Sequence, residues 1–190
     1  KNNGQPELTG INKLRELILE LAVRGKLVPQ DPEDEPASDL LERIEAEKER
    51  LYKEGQIKKP VRAEGVSEQE RPFSLPAGWV WARLPDVAGY SPGKTPPTKD
   101  TRYWPQSEGI PWVSIADMTN YGRIRSTAKT VSQEAQKEVF KTDPIEPGAI
   151  LMSFKLTLGK VAINDVPVFH NEAIISLRPF SGVRRPYLFM

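Results

Sequence analysis

Two helical stretches followed by short strand-like runs predict an α+β chain: an N-terminal helical pair, then a mixed, mostly antiparallel, β-rich domain. Two observations carry this. Before residue 58, apolar residues recur at spacings of three and four. From Trp79 on, runs rich in β-branched and aromatic residues alternate with Pro and Gly turns and show no βαβ rhythm. The polar stretch between them sets the expected boundaries: a helical region over 1–57, a linker over 58–78 and a β-rich domain over 79–190.

Ile11, Leu14, Ile18 and Leu21 form a heptad seam on a first helix from about Glu7 to Arg24, widened by Leu17 and Ala22. Gly25 stands where a left-handed C-cap is expected, and Arg24 suits the last turn of the helix dipole. Pro29 and Pro32 then favour an extended connection. A second helix is expected to begin between Pro36 and Ser38, with Ser38 as its cap, and to run to Glu54, where Gly55 stops it. Its seam is Leu40 and Leu41, Ile44 and Leu51, with Lys48 as a polar break. Glu49 and Lys53 form an i,i+4 pair worth roughly a few tenths of a kcal/mol. One narrow stripe is marginal alone, so antiparallel pairing of the two helices is expected. Ile11, Leu14, Ile18, Leu21, Leu41, Ile44 and Leu51 are the candidate contact residues for a partner.

The segment from Gln56 to Pro76 is polar and charged and reads as a linker that wraps or moves. Beyond it the strand candidates are Val80 to Leu84, Ile110 to Ile115, Ala149 to Phe154, Lys160 to Ile163 and Ala173 to Leu177. Val131 to Phe140 reads as a short helix capped by Ser132. The stretch Leu151 to Ile163, which includes Leu156, predicts a strand, a tight turn at Gly159 and a second strand. Trp79, Trp81, Trp104 and Trp112 read as packing residues.

The 190 residues are enough to bury a core. No cysteine is present, which excludes disulfides and thiolate zinc sites and fits a cytoplasmic location. There is no membrane-length apolar run, and residues 1–10 are not a signal peptide. The first residue is Lys, as in a fragment or a processed chain. Residues 79–190 hold 14 Lys and Arg against 10 Asp and Glu, a net +4, while residues 1–78 carry −3. The positive excess therefore lies where a nucleic-acid surface would need it.

Catalytic patterns are missing from the sequence. Asp143-Pro144-Ile145-Glu146 lacks the second proline and the aromatic of a base-flipping methyltransferase motif. No lysine has an acid two residues before it, as a common nuclease core requires, and no phosphate loop occurs. The single histidine, His170, cannot build a multi-histidine metal site and is expected on a loop between strands, facing DNA. No metal and no cofactor is expected. What remains suits nucleic acid. Lys94, Thr95, Lys99, Arg102 and Tyr103 lie in a Pro- and Gly-rich loop. Arg123 and Arg125 sit at period two and would share one face of a strand. Ser153, Lys155, Thr157 and Lys160 surround the Gly159 turn, and His170 and Asn171 follow. Lysines and hydroxyls serve phosphates, while Arg, Asn and His reach base edges. The bland alternative for each is a solvated surface group.

A resemblance adds to this reading. Trp79 and Leu84, Gly93-Lys94-Thr95-Pro96, Tyr103-Trp104, Gly109 to Val113, Asp117, Pro147-Gly148, Ser153-Phe154-Lys155 to Gly159-Lys160 and Phe169 to Ile175 occur in this order. The set resembles a target recognition domain of the DNA specificity subunit of type I restriction-modification systems. Leu14 to Gln30 and Pro36 to Ile44 resemble the helical segment that precedes such a domain. The resemblance implies a non-catalytic chain that reads one half of a split duplex target. It also implies docking of methyltransferase subunits and, through the complex, a restriction and translocation subunit. The family's domain usually continues into a Pro-rich segment and a spacer helix, whereas this chain stops at Met190, so its last strands are expected elsewhere. Two other classes fit less of the pattern: the recognition module of a fused restriction-methylation enzyme, and a helical interaction protein without DNA binding.

Overall fold

The computed structural model describes residues 6–60, 64–155 and 157–189. Linker positions 61–63, Leu156 of the expected turn segment and the two chain ends lie outside the described residues. The chain divides into two compact units, Lys1–Val87 and Ala88–Met190, with the division falling beyond the expected domain start at Trp79.

In the first unit, helix α1 spans Pro6–Val23 and α2 spans Ala37–Lys53. Both end in the same motif. Lys26 N–H donates to the Leu21 carbonyl and Gly25 N–H to that of Ala22, and Gln56 and Gly55 repeat the pattern on Leu51 and Tyr52. Gly25 at φ 63° and Gly55 at φ 71° supply the left-handed residue that this double closure needs. The expected N-cap is corrected: Pro36 occupies that place without a side-chain bond, and Ser38 lies inside the helix, donating to Asp39. The Glu49–Lys53 pair is replaced by Arg50–Glu54 and Lys48–Glu45.

The expected antiparallel pairing is also corrected, since α1 and α2 share no extended interface among the described residues. Ile11, Leu14, Leu17 and Ile18 are 42–57% exposed. The C-terminal end of α1 packs instead on the 73–79 segment. The Arg24 guanidinium lies 5.0 Å from the centroid of the Phe73 ring, and a Cβ on Gly25 would stand 2.6 Å from Pro76 Cγ. Helix α2 meets the short helix α3, Leu84–Val87, and buries Ile44 completely. Val80 to Leu84 is therefore not a strand; Pro85 blocks a ladder bond and suits a helical first turn. The linker, expected to wrap or to move, is held by side-chain bonds among its described residues. Ser67 and Glu70 form a capping box, and Arg83 ties to the Glu64 carbonyl and the Glu70 carboxylate. The Ser67 amide, helped by Arg83, pulls the Glu70 carboxyl down to about 2.

The second unit holds two sheets. The larger has strand order β1-β8-β5-β6-β3, formed by Ala88–Pro92, Ile174–Pro179, Ile150–Ser153, Val161–Asn164 and Gly122–Ile124. Its pairs are antiparallel except β3 with β6. The smaller has order β4-β2-β7, from Lys129–Val131, Ile110–Val113 and Phe169–His170, with β2 and β7 parallel. Helix α4, Gln133–Ala135, continues as a π-helical turn to Phe140 and is capped by Ser132, whose hydroxyl accepts from Ala135 N–H at 3.2 Å. A last helix, α5, spans Arg185–Phe189.

Strand β2 explains how the two sheets share one interior. Alternation sends Val113 into a cluster with Met118, Ile124, Leu151, Ala162, Val168 and Ile174. Trp112 faces the other way, into Tyr103, Val131, Ala135, Phe140 and Phe169. Phe140 stacks on Phe169 at 3.9 Å between centroids. Asn164, fully buried, accepts from Ala149 N–H at 2.8 Å and donates to the carbonyls of Ile145, Glu146 and Val166. One polar side chain thereby fixes the irregular approach to β5, which an apolar residue there would leave unpaired.

Candidate nucleic-acid interface

The sheet registers bring four connections to one end of the second unit. Pro92 at the end of β1 lies beside Ile175, Ser153 at the end of β5 beside Ile174, and Met152 beside Val161. The parallel pairs add the start of β3 and the ends of β2 and β7. The connections after β1, after β2 (which leads into β3), after β5 and after β7 therefore meet at this loop edge.

The segment after β1 is clamped by backbone. Gly93 N–H donates to the Ile174 carbonyl and Lys94 N–H to that of His170. A Cβ on Gly93 would stand 2.0 Å from the His170 carbonyl oxygen and 2.3 Å from that of Asn171. Only glycine fits such an approach. The Thr95 hydroxyl bonds the Glu172 carboxylate, which depresses that acid below its usual range and ties the loop to the 171–173 turn. Asn171 caps the same turn, accepting from Ala173 N–H at 3.1 Å.

The β5–β6 connection contains the predicted turn, with Gly159 at φ 75°. Ser153 is its anchor. Its hydroxyl bonds the Thr157 carbonyl and accepts from Lys160 N–H at 3.2 Å, while its carbonyl accepts from Gly159 N–H at 2.9 Å. Lys155 and Thr157 remain exposed. The Lys160 ammonium, half-buried, reaches the Ile115 carbonyl at 3.1 Å.

Several sequence-based expectations about side chains are corrected. Ser153 is fully buried and spent on the turn. His170 lies on β7 rather than a loop, is 2% exposed, and faces no solvent. Burial pushes its imidazole below the ordinary value of 6.5. Tyr103 is buried, and its hydroxyl donates to Glu138 at 2.6 Å. Lys94 holds the carbonyls of Val139 and Phe140 at 2.9 and 3.3 Å, closing the C-terminal end of the π-helical turn. Arg102 pairs with Asp100 at 2.7 Å and lies near Glu138, beside α4. Lys99 is exposed. Arg123 and Arg125 do share a face, but they converge on Asp165 past the opposite ends of β3 and β6. In the first unit Ile44 is sealed inside; Leu21, Leu41 and Leu51 are half-buried; and only Ile11, Leu14 and Ile18 of the expected seam stay open.

Sequence reasoning missed Lys129, whose ammonium lies 5.5 Å from the centroid of the Trp104 ring, and Leu158 at the hairpin tip. Among the described residues no group of three or more His, Asp or Glu is placed to hold a metal ion, and no helix is long and apolar enough to cross a membrane.

Residues 76–190 match the family described as type I restriction modification DNA specificity domain. The chain belongs to this family. Over 91 residues the specificity-domain chain is 62% identical to the type I restriction enzyme EcoEI specificity subunit of Escherichia coli and 60% identical to the EcoAI specificity subunit of the same organism. Each match covers 48% of this chain and 15% of the relative. The MjaIX specificity subunit of Methanocaldococcus jannaschii is 29% identical over 117 residues, 60% of this chain and 26% of that relative. The chain thus spans a small part of the length of the curated relatives it matches. A crystal structure of an HsdS subunit from Thermoanaerobacter tengcongensis is similar over 95% of this chain and 37% of its own, at 19% identity and a TM-score of 0.46.

Proposed function

We propose that the second unit binds duplex DNA and reads one half of a split target, with the loop edge as its DNA face. The observation that carries this reading is the convergence of four connections at one end of the sheets, with Lys155, Thr157 and Lys99 exposed on them. A tip rigidly pinned by Ser153 can hold such groups in register with phosphates and base edges. Asn171, Thr95 and Lys160 line the same edge and contribute contacts from their partly open sides. Membership of the specificity-domain family supports the choice of DNA as ligand. The chain itself catalyses nothing in this reading; it positions methyltransferase subunits and, through them, a restriction and translocation subunit. Residues 1–57 supply the partner contacts through the open Ile11, Leu14 and Ile18 seam, 58–78 connect, and 79–190 recognise the target.

Selection of a randomised duplex pool by the full chain, alone and with its methyltransferase subunit, tests this. An enriched half-site is expected, with affinity falling as salt rises at a slope of about −0.9 per phosphate neutralised. No enrichment in either setting, with no salt-dependent binding, would overturn it.

A further inference from the structure

Leu158 sits at the tip of the β5–β6 connection and is 78% exposed, the highest value among the large apolar side chains of the described residues. Single exposed apolar residues are ordinary on protein surfaces, so exposure alone assigns nothing. The setting assigns more. Thr157, Gly159 and Lys160 are fastened by four bonds to Ser153: Gly159 N–H to its carbonyl, its own N–H to the Lys160 carbonyl, and its hydroxyl shared between Thr157 and Lys160. Thr157 N–H closes a further tight bond of 2.7 Å on the Lys155 carbonyl. Gly159 reverses the chain at φ 75°, with open space around it. The tip is thus built to hold a leucine outward, next to the exposed Lys155 and Thr157. A leucine held in water beside a cation and a hydroxyl suits a ligand that offers an apolar spot within a polar, anionic surface.

Duplex DNA offers one such spot in its major groove. The groove is about 12 Å wide and admits a two-stranded ribbon, and each thymine displays its 5-methyl group there. The minor groove presents no methyl group, and an apolar side chain acts in it as a wedge that unstacks and kinks the duplex. We propose that the β5–β6 tip enters the major groove and that Leu158 reads a thymine by packing on its 5-methyl group, with Lys155 and Thr157 on the flanking phosphates or base edges. This rests on the DNA-binding reading above and adds a residue that determines specificity.

The test uses the full chain and the duplex it selects. Each thymine in that site is replaced in turn by deoxyuridine, which removes only the methyl group, and binding is measured for the wild type and for Leu158→Ala. One replacement is expected to weaken the wild type about fourfold, the worth of one buried methyl group. Leu158→Ala should bind the thymine duplex at least as weakly as the wild type binds the deoxyuridine one. It should no longer distinguish the two, at an unchanged salt slope and unchanged melting temperature. The inference is overturned if no replacement affects the wild type, or if Leu158→Ala keeps the full methyl preference. It is also overturned if Leu158→Ala loses affinity on both duplexes alike together with DNA bending, which is the signature of a wedge. Where the wild type selects a site and Leu158 proves indifferent, this inference falls alone; where the wild type selects none, the DNA reading falls with it.

Discussion

Lys94→Met and Lys155→Met should produce opposite phenotypes although the two lysines lie in neighbouring loops. Methionine keeps most of the length of lysine and removes the charge. At position 94 the loss is structural. The ammonium donates to the Val139 carbonyl at 2.9 Å and to the Phe140 carbonyl at 3.3 Å, two acceptors left open where the π-helical turn ends. A bond from a charged donor contributes about 1.5–3 kcal/mol, and the side chain is exposed, so the lower range applies: about 1–2 kcal/mol. For a domain of this size that is a drop of roughly 5–10 °C in melting temperature. The main-chain anchors of Lys94, to the His170 carbonyl and from the Trp112 indole, survive the substitution, so the loop stays in place. DNA affinity should follow folded fraction only, with the salt slope unchanged. At position 155 the ammonium is exposed, lying 5.5 Å from the centroid of the Phe154 ring. Its loss should leave the melting temperature within about 1 °C, since isolated surface substitutions shift stability by under roughly 0.5 kcal/mol. It should flatten the salt slope by about 0.9 and weaken all sequences alike. Calorimetry and a salt titration of duplex binding on both variants decide the matter. A flattened slope with an unchanged melting temperature for Lys94→Met would refute the capping role and return that lysine to the DNA face.

Gly93→Ala should cost about 3 kcal/mol or more in urea denaturation, at the upper end for overpacking, because the new methyl meets backbone carbonyls that cannot turn away. A loss under 1 kcal/mol would show that the loop after β1 is not clamped as described. His170 is the only histidine, and burial lowers its pKa below 6.5. The unfolded chain then binds more protons than the folded one below that pH, so its stabilising contribution is full above about 6.5 and shrinks as pH falls. Melting temperature should decline from pH 7.5 to 5.5, and His170→Gln should flatten that decline; an equal slope in both proteins would remove His170 as the cause. Ile18→Asp should leave melting unchanged and impair capture of the methyltransferase subunit. Ile44→Asp, which buries an unpaired charge, should cost more than about 4 kcal/mol and unfold the first unit. Thermal scans and pull-down with the subunit separate these outcomes, and a stable Ile44→Asp would contradict the observed burial.

Local rules were legible wherever one signal sufficed. Gly25 and Gly55 end helices, Ser132 starts one, and Gly159 turns a hairpin, because each needs only its own backbone and near neighbours. Strands β5, β6 and β8 showed as apolar runs because they lie in the middle of the large sheet. Strands β1, β4 and β7 did not: they are short or polar, and tertiary pairing makes them. Helix pairing was misjudged because one apolar face does not name its partner; α1 turned to Phe73, Pro76 and Trp79, and α2 to α3. Four of the candidate side chains are committed within the fold in a consistent way. Ser153, Tyr103, Lys94 and His170 have the chemistry to touch DNA, but that same chemistry satisfies buried backbone and caps helix ends. Composition cannot separate the two uses; burial and partners can.

Arg123 and Arg125 show where that separation has the sharpest consequence. Arg123 commits its Nε to Asp165 at 2.8 Å, and its hydrogen bond holds that carboxyl below its usual range. Arg125 gives Asp165 only one contact, at 3.2 Å, and its side chain is 76% exposed. A guanidinium presents five donors in a fixed fork, so Arg125 keeps most of its fork open while Arg123 does not. One aspartate thus makes a brace of Arg123 and leaves Arg125 largely open. Their position adds a second constraint. Arg123 lies within β3, while Arg125 and Asp165 stand just past the last residues of β3 and β6; a four-residue strand such as β6 spans about 13 Å, so Arg125 and the Lys155 tip are more than a groove width apart. A duplex lying only across the loop edge leaves Arg125 in water, and Arg125→Ala then changes nothing. If that variant instead relaxes sequence preference, the DNA must run along the strands from one end of the large sheet to the other, and the interface is a stripe rather than a tip.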